Sequence, residues 1–375
     1  MAFQETSISK HFGALTDPRV EGRTQHSLLD VLTIVLCGVI GGAEGFNDIE
    51  LFAECKESFF RTFLELRGGI PSHDTMNRVM SLLSPQEFGR CFTEWVQSLS
   101  SALKGVVAID GKTLRRSFDN AGRKNCLHMV SAWASETGLV LGQLSTDEKS
   151  NEITAIPKLL SILDLKGSIV TIDAMGCQVA VAQNILDSGG DYVLALKGNQ
   201  GDSLESVKHL FAWEKKNGFQ GVSCTQHLSE EKDHGRMETR RVISIGALED
   251  IDSLCLGKWP GLLSVTMVES TREIRDMATT ECRYYISSLP ANAKTIGQAI
   301  RSHWGIENSL HWVLDVVFHE DDARNRKDHS AENMAIVRHI ALNMIKMNTS
   351  KGSLKGKRKK AGWDNSFLIK IIADV

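Results

Sequence analysis

The chain has 375 residues, enough at about 150 per domain for two or three folded units with a large core. With 42% hydrophobic and 24% charged residues, 6 Pro and 31 Gly, it is an ordinary globular sequence, which excludes a mostly disordered or collagen-like chain. A net charge of −3, from 43 basic and 46 acidic residues, creates no global field for a polyanion, so any nucleic-acid contact must come from local patches.

Residues 1–98 read as a helical N-terminal domain. The first twelve residues lack the basic-then-apolar order of a signal peptide, and the apolar run Val31–Ala43 is too short and too interrupted to span a bilayer. Leu28–Ile40 is an apolar helix, and Asn47 or Asp48 caps a second helix carrying Leu51, Phe52, Cys55, Phe59 and Phe63. Pro71-Ser72-His73-Asp74 starts a shorter helix with Met76, Val79, Met80 and Leu83 inward. Ser84-Pro85-Gln86-Glu87 is a capping box opening a helix with Phe88, Cys91, Phe92, Trp95, Val96 and Leu99 at helical spacing. The last two helices could be a DNA-reading pair with His73, Asn77 and Arg78 outward, or an ordinary helical hairpin.

After Gly105 the pattern changes to strands at Val106–Ile109, Leu127–Ala134 and Leu139–Leu144. The Ser150-Asn151-Glu152 cap then opens a helix near Ile153–Leu163. Strand Ser168–Ile172, helix Val179–Leu186, strand Tyr192–Leu196 and helix Leu204–Trp213 complete the order β-β-β-α-β-α-β-α. That order predicts an α/β, ribonuclease-H-like mixed sheet with helices on both faces, its first part spanning residues 99–217. Residues 218–290 read as a β-rich insertion, with strands at Val222–His227, Glu238–Ile245, Leu262–Glu269 and Arg283–Ser287. The last core helices occupy 291–348, one covering Thr295–Val317 and another Ala331–Met347. In the basic tail, 349–375, the stretch Lys351–Lys360 has six basic residues and no apolar period, and is expected to be a flexible, polyanion-seeking linker. Eight cysteines stand singly with no C-x-x-C, which argues against a zinc ribbon or disulfide framework and for a reducing, cytoplasmic setting.

Two strands end in an aspartate, Ala108-Ile109-Asp110 and Thr171-Ile172-Asp173. In the expected topology these strands lie side by side and parallel, so the two carboxylates emerge together, and a divalent cation relieves their repulsion. The third component lies on the helix through Ile300–Asp315. There Ile300, Trp304, Glu307, His311 and Leu314 share one stripe, placing a glutamate on the face toward the sheet, where it needs a cation. Arg301, His303 or His311 could instead satisfy Glu307, or His303, Glu307 and His311 could bind zinc. The strand-end aspartates favour an oxygen-rich magnesium or manganese site.

The segments AIDGKTLRRS (108–117), VTIDAMGCQ (170–178), VLALKGNQ (193–200), HGRMETRR (234–241), RSHWGIENSLHWVLDVVFHEDDARNR (301–326) and PSHDTMNRV (71–79) together resemble an insertion-sequence transposase of the DDE superfamily. The likeness is to the ISAs-type group of H-repeat-associated proteins, and it extends over nearly the whole chain. The resemblance implies a metal-binding catalytic triad at Asp110, Asp173 and Glu307, with Mg²⁺ (or Mn²⁺ in its place) as cofactor. It further implies cleavage at element ends and strand transfer into target DNA, with a dimer on the DNA ends and a cytoplasmic, nucleoid-associated protein. Lys112, Arg115, Arg116, Lys197, Arg236, Arg240, Arg301, His303, Arg324 and Arg326 are the expected DNA contacts. The sequence departs from the wider Tyr-x-x-Arg-x-x-x-Glu-x6-Lys signature, with Ile300, His303 and Leu314 at the Tyr, Arg and Lys positions. The alternatives are a metal-dependent nuclease or decayed element without strand transfer, and a non-catalytic DNA-binding protein on the same scaffold.

Overall fold

A computed structural model of the chain describes residues 7–22, 24–99, 105–118, 125–146, 152–233, 236–246, 255–274 and 277–373. Six helices come first: α1 (Ser7–Phe12), α2 (Leu28–Gly41), α3 (Phe46–Cys55), α4 (Glu57–Phe60), α5 (His73–Leu82) and α6 (Pro85–Leu99). Side-chain oxygens accept from orphan amides where the sequence suggests: Ser27 from Asp30, Ser72 from Thr75, and Ser84 from Glu87. The expected Asn47/Asp48 cap is displaced. Gly45 caps α3, and Asp48 accepts from the Glu44 amide outside the helix.

Strands β1 (Gly105–Thr113), β2 (His128–Ala134) and β3 (Val140–Thr146) form an antiparallel meander. They are followed by α7 (Glu152–Ser161), β4 (Ser168–Ile172), α8 (Val179–Asp187), β5 (Asp191–Leu196) and α9 (Gly201–Lys216). The expected Ser150-Asn151 cap of α7 lies outside the described residues. β4 runs parallel between β1 and β5, which gives the order β3-β2-β1-β4-β5 of the ribonuclease-H-like sheet.

The β-rich segment supplies β6 (Ser223–Asp233), β7 (Arg236–Gly246), β8 (Ser264–Ile274) and β9 (Met277–Ser287), an antiparallel meander whose β9 pairs with β5. The segment therefore continues the core sheet, extending it to nine strands among the described residues. Each strand is longer than its apolar run predicts, because the outer halves of the hairpins are exposed and carry only the ladder, not a buried face.

The sheet is followed by α10 (Ala293–Ile306), a π-helical turn at Glu307–His311, α11 (Trp312–Val316), α12 (Ser330–Met347), α13 (Leu354–Trp363) and α14 (Asn365–Ala373). Helix α10 lies on one face of the sheet, where His303 meets Thr171. On the other face, a Cβ at Gly176 would meet Ile172 of β4 and Ile156 of α7 together. Helix α12 is buried along its length and packs against α2, α5, α6 and β3. The N-terminal helices and the sheet thus share one apolar core, from Val31 and Trp95 to Val140 and Leu342. Asn343 of α12 donates to and accepts from the Val140 backbone, so it satisfies an edge of β3 that has no partner strand. The expected flexible linker at 351–360 is instead mostly α13. Among the described residues, no single helix is long and apolar enough to cross a membrane.

Candidate active site

Register places the first two acids. Ile109 pairs with Ile172 across the parallel β1–β4 ladder, so Asp110 and Asp173 follow side by side, on the same face as Ala108 and Thr171. That face is covered by α10. The approach is close at Gly305, where a Cβ would stand 2.6 Å from the Trp133 ring of β2. One residue past the end of α10, Glu307 opens the π turn. A cavity of about 580 Å³ is lined by Asp110, Asp173 and Glu307 together with Lys197, Arg283 and Trp304.

The π turn corrects the single-helix expectation for Thr295–Val317. One extra residue per turn keeps Ile306, Leu310, Val313 and Leu314 in the core while Glu307 is released into the cavity, exposed. Glu307 therefore does not point into an apolar core. Its expected protein partners are also engaged elsewhere: Arg301 pairs with Glu231 at 2.8 Å, His303 Nδ1 lies 3.1 Å from Thr171 Oγ1, and His311 Nδ1 lies 3.5 Å from Asp110 Oδ2.

The carboxyl of Asp110 is pushed up to about 7, first by burial and then by repulsion from Asp173, Glu307 and Glu152, against one lowering hydrogen bond from the Gly111 amide. Neither neighbouring histidine relieves that repulsion. Burial lowers His303, and it lowers His311 to about 4 with Lys112 adding to the effect, so both imidazoles are neutral near pH 7. Asp173 Oδ1 accepts from the Met175 and Gly176 amides, which fixes the carboxylate at the strand end. The site is thus a set of hard oxygen donors, none of them in an ion pair with Lys or Arg among the described residues, and it fits a divalent ion by charge and donor type. As placed, no three His, Cys, Asp or Glu side chains among the described residues close around one point.

Lys112 is expected at a phosphate, but it is turned away from the cavity. Its Nζ lies 2.7 Å from Asp315, 3.0 Å from Glu320 and 3.1 Å from Asp321, and the side chain is only 10% exposed. Burial disfavours the ammonium, yet Glu320 and Asp315 outweigh it and raise the pKa above the ordinary lysine value. Arg338 stands 3.7 Å from Glu320 on its other side. This cluster ties the end of β1 to the segment after Glu307. Arg115 and Arg116 continue it, pairing with Asp321 and Asp322. Arg326 donates to the Arg116 carbonyl and stacks over Phe118, while Arg324 is exposed nearby. Lys197 is exposed on the cavity wall.

Arg240 pairs with Glu231 and Glu238 in a second cavity of about 840 Å³, which Arg301 also lines. Arg236 is in β7, and its side chain lies outside the described residues. Of the expected outward residues on α5, His73 pairs with Glu50, and Asn77 binds Ser81 and Ser330 as the helix packs on α12. Only Arg78 stays exposed without such a contact.

Sequence reasoning missed the acidic half of the Lys112 cluster, although the run Glu320-Asp321-Asp322 is visible. It also missed the buried His128–Glu152 pair, which presses so closely on β1 that a Cβ at Gly111 would meet both partners. His339 is buried beside Glu320, Arg338, Lys112 and His311, and burial lowers it to about 4. The unfolded chain therefore takes up this proton first, so the stability His339 contributes is complete above about pH 6.5 and is lost as pH falls toward 4. The expected loss is about 3 kcal/mol. Urea unfolding at stepped pH checks this: His339→Leu should flatten that part of the profile, and an unchanged slope would contradict it.

Comparison with known families is consistent with this architecture. Residues 9–96 match the DDE_Tnp_1-associated model, and residues 101–344 match the transposase DDE domain model. The chain is 41% identical over 372 residues to "H repeat-associated putative transposase YhhI" of Escherichia coli K12, covering 98% of this chain and 97% of that one. It is 40% identical over 372 residues to protein YbfL of the same strain, with the same coverage. An uncharacterized protein of Xanthobacter autotrophicus, from the dhlA 3′ region, is 44% identical over 286 residues, 75% of this chain and 94% of that one. A piggyBac transposase synaptic complex aligns over 99% of this chain and 77% of that chain at 11% identity and a TM-score of 0.40, too weak a likeness to argue from. The domain match spans more than half of the sequence, and the chain belongs to the DDE transposase family.

Proposed function

We propose that the chain cuts DNA at the ends of an insertion sequence and joins the freed 3′ ends to target DNA, with Asp110, Asp173 and Glu307 holding the divalent cation. The observation that carries this reading is the placement of the three carboxylates on one cavity, with Asp110 raised to about 7 and, among the described residues, no Lys or Arg ion-paired to any of the three. A bound Mg²⁺ supplies charge neutralisation and Lewis-acid polarisation at the phosphodiester. The chain's own residues position the reacting groups. The Met175 and Gly176 amides fix Asp173, the π turn presents Glu307, and Lys197 and Arg283 on the walls offer charge to phosphate oxygens. Each displacement forms one P–O bond and breaks one, first with water and then with the freed 3′-hydroxyl. Two DNA ends call for two chains, one on each.

Chelator-stripped protein should regain cleavage of DNA carrying the element ends with Mg²⁺ or Mn²⁺ and not with Zn²⁺. His303→Ala and His311→Ala should weaken activity while calorimetry still shows metal binding. Full activity with zinc alone, or loss of all metal binding in either variant, would move the site from the carboxylates to the histidines.

A further inference from the structure

The basic C-terminal segment is built differently from a solvated run. From residue 349 to residue 363 there is no Asp or Glu. Ser353 caps α13 by accepting from the Gly356 amide, and two of the cations turn inward. Lys357 donates to the carbonyls of Ile345 and Asn348 at the end of α12. Arg358 donates to Val39 at the end of α2 and to Val317 just past α11, and it stacks over Phe318. Cations near helix C-terminal carbonyls meet the negative end of the helix dipole, so the two side chains act as buried caps, Arg358 sharing the Val39 carbonyl with the Gly42 amide. Burial lowers the pKa of both, Arg358 to about 10, which leaves Arg358 charged near neutrality.

This anchoring fixes what faces outward. Lys351, Lys355 and Lys359 are exposed at four-residue spacing, and Trp363, 81% exposed, ends the row. On α13 that spacing puts Lys355, Lys359 and Trp363 about 6 Å apart along the axis, on one side, while Lys351 stands just before the Ser353 cap. Among the described residues, none of the three lysines is held in an ion pair, unlike Lys112, Arg240 and Arg301. The row is joined through Arg358 to Val317, ten residues beyond Glu307.

We propose that the outer face of α13 is a duplex-DNA docking surface that grips the phosphate backbone without reading sequence, separate from the cavity of the three carboxylates. Charge complementarity commits it to this partner. A rigid row of unpaired cations suits a regular line of phosphates, and the aromatic ring gives the sugar edge an apolar contact. A lipid surface would require an apolar helix face to insert. Here α13 has no such face to offer, since its Ala361 is in the core and the apolar residues that follow, Phe367 and Leu368 of α14, are buried too.

The test uses the full chain and a fluorescent duplex of unrelated sequence, with affinity measured by anisotropy across a salt series. In Lys351→Gln/Lys355→Gln/Lys359→Gln, the slope of log affinity against log salt should shallow by about 2.7, roughly 0.9 for each phosphate that is no longer neutralised. The variant Lys351→Arg/Lys355→Arg/Lys359→Arg should keep the slope, and unchanged thermal unfolding shows that the glutamine variant is folded. Asp110→Ala should bind with the wild-type slope, so a failure of the proposed chemistry would be seen separately from a failure of this surface. An unchanged slope in the folded glutamine variant would overturn the proposal. So would tighter binding to phosphatidylserine vesicles than to duplex, abolished by the same three substitutions.

Discussion

Alanine in place of Asp110, Asp173 or Glu307 is expected to reduce cleavage of element-end DNA to about a thousandth of wild type or less, because each change removes a hard donor from the proposed cation site. Fold and DNA binding should survive. Asp110 lies within β1 just past the end of its pairing with β4, Asp173 follows β4, both line a cavity, and Glu307 is exposed, so none is part of the apolar core. Removing the Asp110 carboxyl also relieves its repulsion with Asp173 and Glu307, so Asp110→Ala should unfold at the same denaturant concentration as wild type or a higher one. Single-turnover cleavage by each folded variant checks the assignment, and a wild-type rate in any one of them removes that residue from the site.

Lys112→Met is expected to have the largest effect on stability, on the order of 3–5 kcal/mol, because it leaves carboxylates in low-dielectric surroundings without their main counter-charge. Glu320 is 2% exposed and would keep only Arg338, at 3.7 Å. Adding Glu320→Gln to Lys112→Met should recover part of the loss, and denaturant unfolding of the two variants measures it. The same side chain separates two accounts of the residue. If Lys112 positions the β1 end against the segment after Glu307, the variant under permissive conditions should lose turnover while its KM for DNA stays near wild type. A phosphate contact would instead show as raised KM and a shallower salt slope.

The elements most legible in the sequence are those where one local signal decides the structure. Ser168–Ile172 is a short run rich in β-branched residues between Gly167 and Asp173 and is a strand over that same span, and Ser84-Pro85 starts α6 where its capping box stands. The side-by-side aspartates are legible because topology and register follow from the element order. Elements that depend on tertiary partners are not. Nothing in the local pattern of Ile300–Asp315 marks the π turn at Glu307–His311, which follows the close approach of Gly305 to the Trp133 ring of a distant strand. The tail reads as a linker because charge without period signals solvent. Lys357 and Arg358 are buried only because the ends of α2, α11 and α12 offer carbonyls there, from residues up to 319 positions away. The ion pairs of Lys112 are illegible for the same reason: its neighbour in sequence is Asp110, but its partners lie more than 200 residues later.

Whether Asp110, Asp173 and Glu307 form one cation site is read directly by anomalous scattering from crystals of the protein soaked in Mn²⁺. A peak is expected where the β1–β4 pairing ends, in contact with both aspartates and reached by Glu307, and it should disappear in Asp173→Ala crystals soaked identically. A peak bound by His303 or His311 with Asp110 and Asp173 uninvolved, or full occupancy retained in Asp173→Ala, would contradict that assignment.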